Sequence, residues 1–292
     1  MISIEPKDIS PAKLQGYLQS AVAPRPIAFA STMSESGEPN LSPFSFFNVF
    51  SSNPPILIFS PARRVRDNTI KHTLINAKAT GEVVINIVNY DIVQQVSLSS
   101  TEYGDGVNEF IKAGLTAIPS DIVKPFRVKE SPVQFECKIN EIIPLGNQGG
   151  AGNLIICEVL KIHIDENILD SNGLIDQHKI DLVSRMGGNW YSRSNMGMFE
   201  VVKPITTLGI GVDSVPHHIR ECGVFDGNDL GKLGNVECLP TTEEVSIFVN
   251  DNFSVKGILS GGDVIKQYQK AKEYLNTDDV DSAWKVLLAE GF

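Results

Sequence analysis

The residues whose types best suit chemistry lie in one segment, Thr32–Thr73. Its first half contains an uncharged run rich in aromatic and hydroxyl residues, Ser42–Asn48. Its second half places four cations within nine residues, Arg63, Arg64, Arg66 and Lys71, beside the single acid Asp67. The chain as a whole has a formal charge of −10. The planar fork of arginine suits phosphate oxygens, and the first turn of a following helix adds N–H donors. This pattern is typical of a pocket for an aromatic ring that carries a phosphate; the alternative is a solvated charged loop beside a core strand.

Motifs for other catalytic chemistry are missing from the sequence. It contains no G-x-S-x-G, H-E-x-x-H or Walker loop. None of the five histidines has a second histidine four residues away, as on one helix face, and we predict no metal site. The four cysteines form no C-x-x-C pair, which disfavours zinc-ribbon and thioredoxin sites. We expect reduced, buried thiols at Cys137 and Cys157, as cross-strand neighbours.

The composition is that of an ordinary globular protein. The 292 residues are 42% hydrophobic and 21% charged, which allows one large domain or two small ones. An acidic chain without a basic stripe is a poor ligand for nucleic acids and for anionic membranes. The uncharged run Pro39–Ala62 contains prolines and serines that do not suit a spanning helix. Because Met1–Ser20 lacks the apolar core of a signal peptide, we expect a cytoplasmic protein.

Local patterns predict short strands joined by turns. The strands are expected at Ile27–Met33, Ile56–Phe59, Val83–Val88, Val133–Ile143 and Leu154–Ile164. The glycine-rich stretch Gly146–Gly152 is expected to be a hairpin tip. A helix capped by Asp67 or Asn68 is expected to run to Thr80 and to end at Gly81. Because long alternating βαβ units are missing, we predict a mainly β fold, an antiparallel barrel with peripheral helices.

The composition changes near Pro204, and we expect two domains, residues 1–204 and 205–292. The second contains seven Lys or Arg and fourteen Asp or Glu, a balance of −7. Two amphipathic helices are predicted in it, Asp263–Leu275 and Val280–Ala289. The role of this acidic extension is open: it covers a ligand, packs on a partner subunit, or offers a docking surface.

A series of short motifs runs through residues 9–204 in a characteristic order. They are Pro24–Ala28, Ser31–Thr32, Asn40–Asn48, Lys71–Leu74, Thr80–Asn86, Glu130–Val133, Glu136–Cys137 and Arg185–Tyr191. Together they resemble the flavin reductase-like family, which has the FMN-binding split-barrel fold and includes flavoredoxin. One departure is His72, where the family commonly has Asp, and this change removes a potential cap from a helix start.

The resemblance implies a Greek-key split barrel, a homodimer, and FMN bound near the subunit interface. It implies that the isoalloxazine and ribityl chain are lined by Thr32, Ser45, Phe46 and Asn48. It implies that the phosphate is held by Ser60, Arg63, Arg64, Lys71 and Thr73. Tyr191 is implied to approach the flavin, with a core or interface aromatic as the alternative.

With FMN as the redox group, no catalytic side chain is needed. We therefore expect an NAD(P)H-dependent flavin reductase that passes hydride from nicotinamide C4 to flavin N5, with a nicotinamide or flavin as its small-molecule substrate. One alternative is a non-enzymatic FMN electron carrier reduced by a protein partner, since an acidic surface suits docking to a basic one. Another is a binding barrel whose flavin site is inactive.

Overall fold

A seven-stranded antiparallel sheet forms the centre of the first of two structural units. The computed structural model describes residues 1–104, 106–201 and 203–289. The chain divides into one unit over Met1–Phe199 and a second that starts at Glu200, close to the boundary expected at residue 204. The strands are β1 Ala28–Met33, β2 Pro39–Phe44, β3 Phe47–Ser52, β4 Pro55–Phe59, β5 Glu82–Ile87, β6 Ala117–Ile118, β7 Arg127–Val128, β8 Val133–Pro144, β9 Asn153–Ile164, β10 Val183–Arg185 and β11 Tyr191–Arg193.

The sheet is open, but its connections force it to curl. Its strand order is β2-β1-β5-β8-β9-β4-β3, and every neighbouring pair is antiparallel. The edge strands β2 and β3 are nevertheless joined by only two residues, Ser45 and Phe46, which span at most about 11 Å. The two edges must therefore approach each other at one corner. The prediction of a mainly antiparallel β domain with helices is confirmed, whereas closure into a barrel is not seen in the described residues.

Helices lie around this sheet. They are α1 Pro11–Ala21, α2 His72–Thr80, α3 Val93–Leu98, α4 Glu109–Ala113 and α5 Gln177–Ile180. Helix α2 packs on β1 and adds Leu74 and Ala77 to the main core cluster. That cluster also contains Phe44 and Phe59, whose ring centroids lie 5.4 Å apart.

The sequence prediction missed strand β3. Three consecutive β3 residues, Asn48, Val49 and Phe50, are exposed, so this edge strand lacks the alternation of polar and apolar residues that identifies a half-buried strand. The register with β4 also shifts between Val49 and Ser51, which interrupts the period further. Such a strand forms because β4 offers it a pairing partner.

The predicted start of helix α2 is wrong, and its predicted end is confirmed. The Asp67 carboxylate accepts hydrogen bonds from the backbone N and the hydroxyl of Thr69, at 3.0 and 2.6 Å. These bonds, followed by that from Arg66, hold the pKa of Asp67 at about 2. Asp67 therefore stabilises a local turn and no helix. The helix begins at His72 after Lys71, which gives no side-chain cap, and ends at Gly81 with a φ of +69°.

Strands β8 and β9 form the expected hairpin, and the glycine-rich stretch is its tip. Their register runs from Val133 opposite Ile164 to Pro144 opposite Asn153. Cys137 faces Val159 and Cys157 faces Ile139, so the two cysteines are diagonal neighbours. Both thiols are free and buried, and burial raises the pKa of each.

A buried polar network joins β2 to helices α2 and α4. Thr73 donates its hydroxyl to Asn40 Oδ1 at 2.8 Å, and Asn40 Nδ2 donates to Glu109 Oε1 at 3.0 Å. The second Glu109 oxygen accepts the backbone N–H of Leu41 at 3.1 Å. Asn40, Thr73 and Glu109 are all buried. Because buried polar groups are costly when unpaired, this network fixes the position of β2 against both helices.

The second unit is helical and has its own apolar core. Its described helices are α6 His217–Arg220, α7 Gly227–Gly234, α8 Thr242–Asp251, α9 Phe253–Ser260, α10 Val264–Leu275 and α11 Val280–Leu287. The two predicted helices correspond to α10 and α11. The sequence prediction missed α7 because of its glycines, although the Asp226–Asp229 capping box starts it. Trp284 is completely buried in the core, and its Nε1 donates to Leu233 O at 3.1 Å. Among the described helices, none has the length and apolar character that crossing a membrane requires.

The Glu109→Gln variant tests the buried network. A glutamine keeps one acceptor oxygen but turns an NH2 group toward Asn40 Nδ2 or the Leu41 N–H, so two donors face each other. We expect a loss of about 1–3 kcal/mol in the free energy of unfolding, measured by urea denaturation. The matched control is Glu35→Gln at an exposed turn residue, which we expect to change stability by less than about 0.5 kcal/mol. Equal stability of the two variants would contradict the role of Glu109.

Candidate functional site

Two neighbouring hollows in the first unit are lined by residues of β2 and of the turn after it. The narrower one, which we call the cation cleft, has a volume of about 30 Å³ and is lined by Arg64 and Lys71, by hydroxyl residues that include Ser42, Thr73, Ser99 and Ser100, and by two carboxylates, Glu102 and Glu109. The other, which we call the aromatic cavity, has a volume of about 330 Å³. Its lining includes Pro43, Phe44, Ser45, Ser100, Arg185 and Tyr191. Ser100 borders both hollows, and Ser42 and Pro43 are consecutive, so the two hollows are neighbours; we refer to them together as the groove.

Lys71 carries the positive charge of the cation cleft. Its Nζ lies 5.0 Å from the centroid of the Phe44 ring. Burial, and then the positive charge of Arg64, lower the pKa of Lys71. The Glu102 carboxylate acts in the opposite sense, but its oxygens bind Arg64 and Arg66. Lys71 therefore lines the cation cleft as a partly buried cation, and a cation at this place favours an external anion.

Arg64 borders the cation cleft in a fixed conformation. Its Nε donates to Glu102 Oε1 at 3.0 Å, and its Nη1 donates to Thr69 Oγ1 at 2.9 Å and to Ile70 O at 3.1 Å. The hydrogen bond from Arg64 is the largest influence on the Glu102 carboxylate. It lowers the pKa of Glu102, although desolvation acts in the opposite sense. Glu102 lies outside the cationic segment, so the excess of positive charge there is smaller than the sequence alone indicates.

Three predicted phosphate ligands have other roles in the structure. Arg63 donates to Asn68, from Nε to Oδ1 at 2.6 Å and from Nη2 to the carbonyl at 2.7 Å, and so holds the turn before α2. Ser60 is buried, and its backbone N–H donates to Phe46 O at 2.9 Å. Thr73 borders the cleft, but its hydroxyl is used by Asn40. Within the predicted set, Arg64 and Lys71 are the charged groups at the cleft.

The residues predicted at the flavin ring are also divided. Ser45 and Tyr191 line the aromatic cavity together. The Arg185 guanidinium carbon lies 4.6 Å from the centroid of the Tyr191 ring. Thr32 is completely buried, and its hydroxyl donates to Asn40 Oδ1 at 3.4 Å. Asn40 lines the cation cleft and not the aromatic cavity. Phe46 and Asn48 are exposed at the β2–β3 corner and on β3, and neither is among the lining residues of the aromatic cavity.

Sequence reasoning missed the contribution of the segment after helix α3. Ser97, Ser99, Ser100 and Thr101 bring hydroxyl groups to the groove. Two of these hydroxyls donate to carbonyls at the end of α3, Ser99 to Val96 O at 2.8 Å and Ser100 to Ser97 O at 2.6 Å. The available signal was the concentration of hydroxyl residues in Ser97–Thr101, which no local pattern connects to the cations at residues 63–71.

A separate acidic group joins the β8–β9 hairpin to the segment between β6 and β7. Ligand atoms of Asp121, Glu136 and His163 lie within 4.8 Å of one another. Glu136 is completely buried and accepts three consecutive backbone N–H groups of residues 121–123, besides a 2.7 Å contact with His163 Nε2. Burial alone would raise the pKa of Glu136, but these bonds outweigh it and leave the pKa lowered. Lys161 also binds Asp121, at 2.5 Å. These hydrogen bonds hold the loop at residues 121–123 against the hairpin. The absence of a metal site stays a prediction.

The cation cleft and part of the aromatic cavity lie inside the region that matches a known family. A family model described as a flavin reductase like domain matches residues 20–181. An uncharacterized protein of Aquifex aeolicus is 39% identical over 173 residues, which cover 59% of this chain and 86% of that protein. The family model therefore covers the residues of the cation cleft, whereas Tyr191 lies beyond the last residue that it matches.

Solved structures of similar fold support the same assignment. The crystal structure of nitrilotriacetate monooxygenase component B from Bacillus cereus is 29% identical, with a TM-score of 0.65, and covers 69% of this chain and 98% of its own. Flavoredoxin of Desulfovibrio vulgaris is 23% identical, with a TM-score of 0.53, and covers 63% of this chain and 93% of its own. The second likeness concerns the fold. On the family match and the shared fold, this chain belongs to the flavin reductase-like family.

Proposed function

We propose that the first unit binds FMN along the groove and acts as an NAD(P)H-dependent flavin oxidoreductase of the flavin reductase type. The observation that carries this proposal is the position of the Lys71 ammonium. Lys71 lines the cation cleft, which neighbours the aromatic cavity at Ser42–Ser45, while Glu102 is used by two arginines. A ligand with an anionic end and an aromatic end matches this groove.

The residues of the cation cleft fit a phosphate group. Lys71 supplies a partly buried charge, and Arg64 supplies a second charge that its own hydrogen bonds hold in place. The hydroxyl group of Ser42 is a neutral hydrogen-bonding group at the same place, whereas the hydroxyls of Ser99 and Ser100 donate to backbone carbonyls. Hydrogen bonds from charged donors to phosphate oxygens are the stronger class of hydrogen bond. The binding energy of the phosphate is therefore expected to depend mainly on Lys71 and Arg64.

The residues of the aromatic cavity fit a planar ring. Phe44 and Tyr191 offer aromatic surface, and Ser45, Asn189 and Arg185 offer polar groups for the edge of the ring. The volume of about 330 Å³ is within the range of cavities that bind small molecules. A cationic group such as Arg185 also favours negative charge that develops on a reduced ring.

The chemistry that FMN supplies when bound is the acceptance of hydride from nicotinamide C4 at flavin N5. The protein then needs to hold two rings in contact and to exclude water from them. Phe44 and Tyr191 provide the apolar walls, and Arg185 lies over Tyr191. With this division of work, no side chain of the groove needs to act as a nucleophile.

A second candidate function is electron transfer without nicotinamide. The acidic balance of −7 over residues 205–292 suits docking to a basic redox partner. The four free cysteines suit a reducing compartment such as the cytoplasm. In this alternative the groove still holds FMN, and the electrons come from a protein.

Spectroscopy of the purified protein with FMN separates the two functions. Under anaerobic conditions, NADH or NADPH should bleach the flavin absorbance if the protein is a flavin reductase. Bound flavin that is not bleached by either nucleotide but is reduced by a partner protein would favour the electron carrier. Failure to bind FMN at all would contradict both functions.

Lys71→Ala and Arg64→Ala should weaken FMN binding much more than riboflavin binding. FMN alone carries the phosphate, and loss of one charged hydrogen bond costs about 1.5–3 kcal/mol, or roughly 10-fold to 150-fold in the dissociation constant. Fluorescence titration with both ligands gives the ratio directly. The control is Lys78→Ala, at an exposed position of the same helix, which should leave both affinities unchanged. Equal losses for FMN and riboflavin would contradict the phosphate assignment.

We also propose that a second copy of the chain covers the outer face of β4 and β9. Leu57, Phe59, Ile155 and Cys157 are buried on the inner face. The alternate residues, Ile56, Ile58, Leu154 and Ile156, are apolar and only partly buried. Ile58 lies opposite Ile156 in the ladder. Contiguous apolar surface of this kind is typical of subunit interfaces.

The Ile156→Lys variant tests this interface. Light scattering should give twice the 31.9 kDa chain mass for the natural protein and a single chain mass for the variant, because a buried unpaired charge is costly. The control is Leu174→Lys, at an exposed turn residue, which should remain a dimer. A natural protein that is monomeric at micromolar concentration would contradict the proposal.

A further inference from the structure

Arg25 is a buried cation that joins three segments of the first unit. It is 6% exposed. Its Nη1 donates to Val22 O at 2.6 Å and to Gln19 O, and its Nη2 donates to Met186 O at 2.9 Å. Its Nε donates to Ser45 Oγ at 3.4 Å. The guanidinium group thus donates four hydrogen bonds, three to carbonyl oxygens and one to a hydroxyl oxygen.

The first of these segments is the end of helix α1. Gln19 and Val22 lie in its last turn and at its C-cap, where carbonyl groups have no partner within the helix. A cation at a helix C-terminus is also favoured by the helix dipole. Arg25 therefore has a fixed anchor, from which its remaining donors extend to the other two segments.

The other two segments are walls of the aromatic cavity. Ser45 belongs to the two-residue turn that joins β2 to β3. Met186 lies between β10 and β11, in the turn that precedes Tyr191. The backbone of Arg25 also exchanges two hydrogen bonds of 2.9 Å with Arg185, and the Arg185 side chain lies over the Tyr191 ring.

We propose that Arg25 is a positioning residue that sets the distance between the Ser45 turn and the Arg185–Tyr191 hairpin. Through these walls it controls the affinity of the groove for the isoalloxazine ring, an inference that rests on the proposed FMN function. The cation cleft is held separately, by Glu102 and Glu109. Loss of Arg25 is therefore expected to affect the ring and to leave recognition of the phosphate unchanged.

Hydrogen exchange of the flavin-free protein tests the structural part of this inference. Arg25→Ala should raise the exchange rate in both 43–47 and 186–191, the two walls, by about tenfold. The control is Arg127→Ala. Arg127 is another largely buried arginine that donates to backbone, at 3.0 Å to Pro119 O, away from the groove. It should not change exchange in either wall. Unchanged exchange in both walls of Arg25→Ala would overturn the proposal.

Flavin titration tests the functional part. Arg25→Ala should weaken riboflavin and FMN by the same factor, about tenfold, so the ratio of the two dissociation constants stays at the natural value. Arg127→Ala controls for a general loss of stability. It should lower the melting temperature, as Arg25→Ala does, but it should leave the affinities for both flavins unchanged. Selective loss of FMN in Arg25→Ala, or no loss of either ligand, would overturn the proposal. If the natural protein binds neither flavin, the FMN function fails, and the exchange experiment still decides the role of Arg25.

The conservative variant Arg25→Lys keeps the inference testable if Arg25→Ala does not fold. A lysine keeps the charge but lacks the planar fork that reaches Val22, Met186 and Ser45 together. We expect it to retain the fold and to weaken both flavins by about threefold, with broadened visible bands of the bound flavin. Affinities and spectra identical to those of the natural protein would show that the fork is not needed.

Discussion

The two-residue connection between β2 and β3 constrains the whole first unit. Ser45 and Phe46 join strands that lie at opposite edges of the sheet, so the sheet must curl until these edges approach. In the described residues the edges do not pair with each other. The backbone and side chains at this corner are left to contact other groups. Ser45 contacts Arg25 and lines the aromatic cavity, so the groove follows from the incomplete closure of the sheet.

The charged side chains lie mainly at one end of the groove and the aromatic side chains at the other. Taking an ammonium group out of water is costly unless an opposite charge compensates it, and the lowered pKa of Lys71 is a sign of that cost. Helix α2 begins immediately after Lys71, so its first N–H groups favour negative charge at the same end. Phe44 connects the two ends, because its ring lies near Lys71 and also borders the aromatic cavity. A ligand with a phosphate at one end and a ring at the other satisfies both requirements at once.

Features determined by neighbouring residues could be predicted from the sequence. The hairpin tip at Gly146–Gly152 and the helix end at Gly81 depend on glycine conformation and short-range turns. The start of α2 could not be predicted, because Asp67 can cap either a helix or a turn, and its bond to Thr69 decides between them. The segment Thr32–Thr73 was identified by composition, and it supplies part of the groove; the other lining residues come mainly from residues 96–109 and 185–191.

Contacts between distant residues account for what the sequence did not reveal. Glu102 reaches Arg64 from a separation of 38 residues, and Met186 reaches Arg25 from 161 residues. No local pattern indicates such pairs. The same limit applies to Thr32 and Arg63: their residue types suit ligand binding, and no local pattern indicates their hydrogen bonds to Asn40 and Asn68.

The net charge of the chain does not prevent it from binding an anion. Residues 1–204 contain eighteen Lys or Arg and twenty-one Asp or Glu, a balance of only −3, whereas the rest of the chain carries −7. Exposed charges more than about 8 Å away are largely screened at physiological ionic strength. A cation about 4 Å from a phosphate near the protein surface contributes about 4 kcal/mol at an effective dielectric of 20. At the proposed phosphate site, the local charges of Lys71 and Arg64 therefore matter more than the net charge of the chain, and their partial burial reduces the screening that salt would otherwise provide.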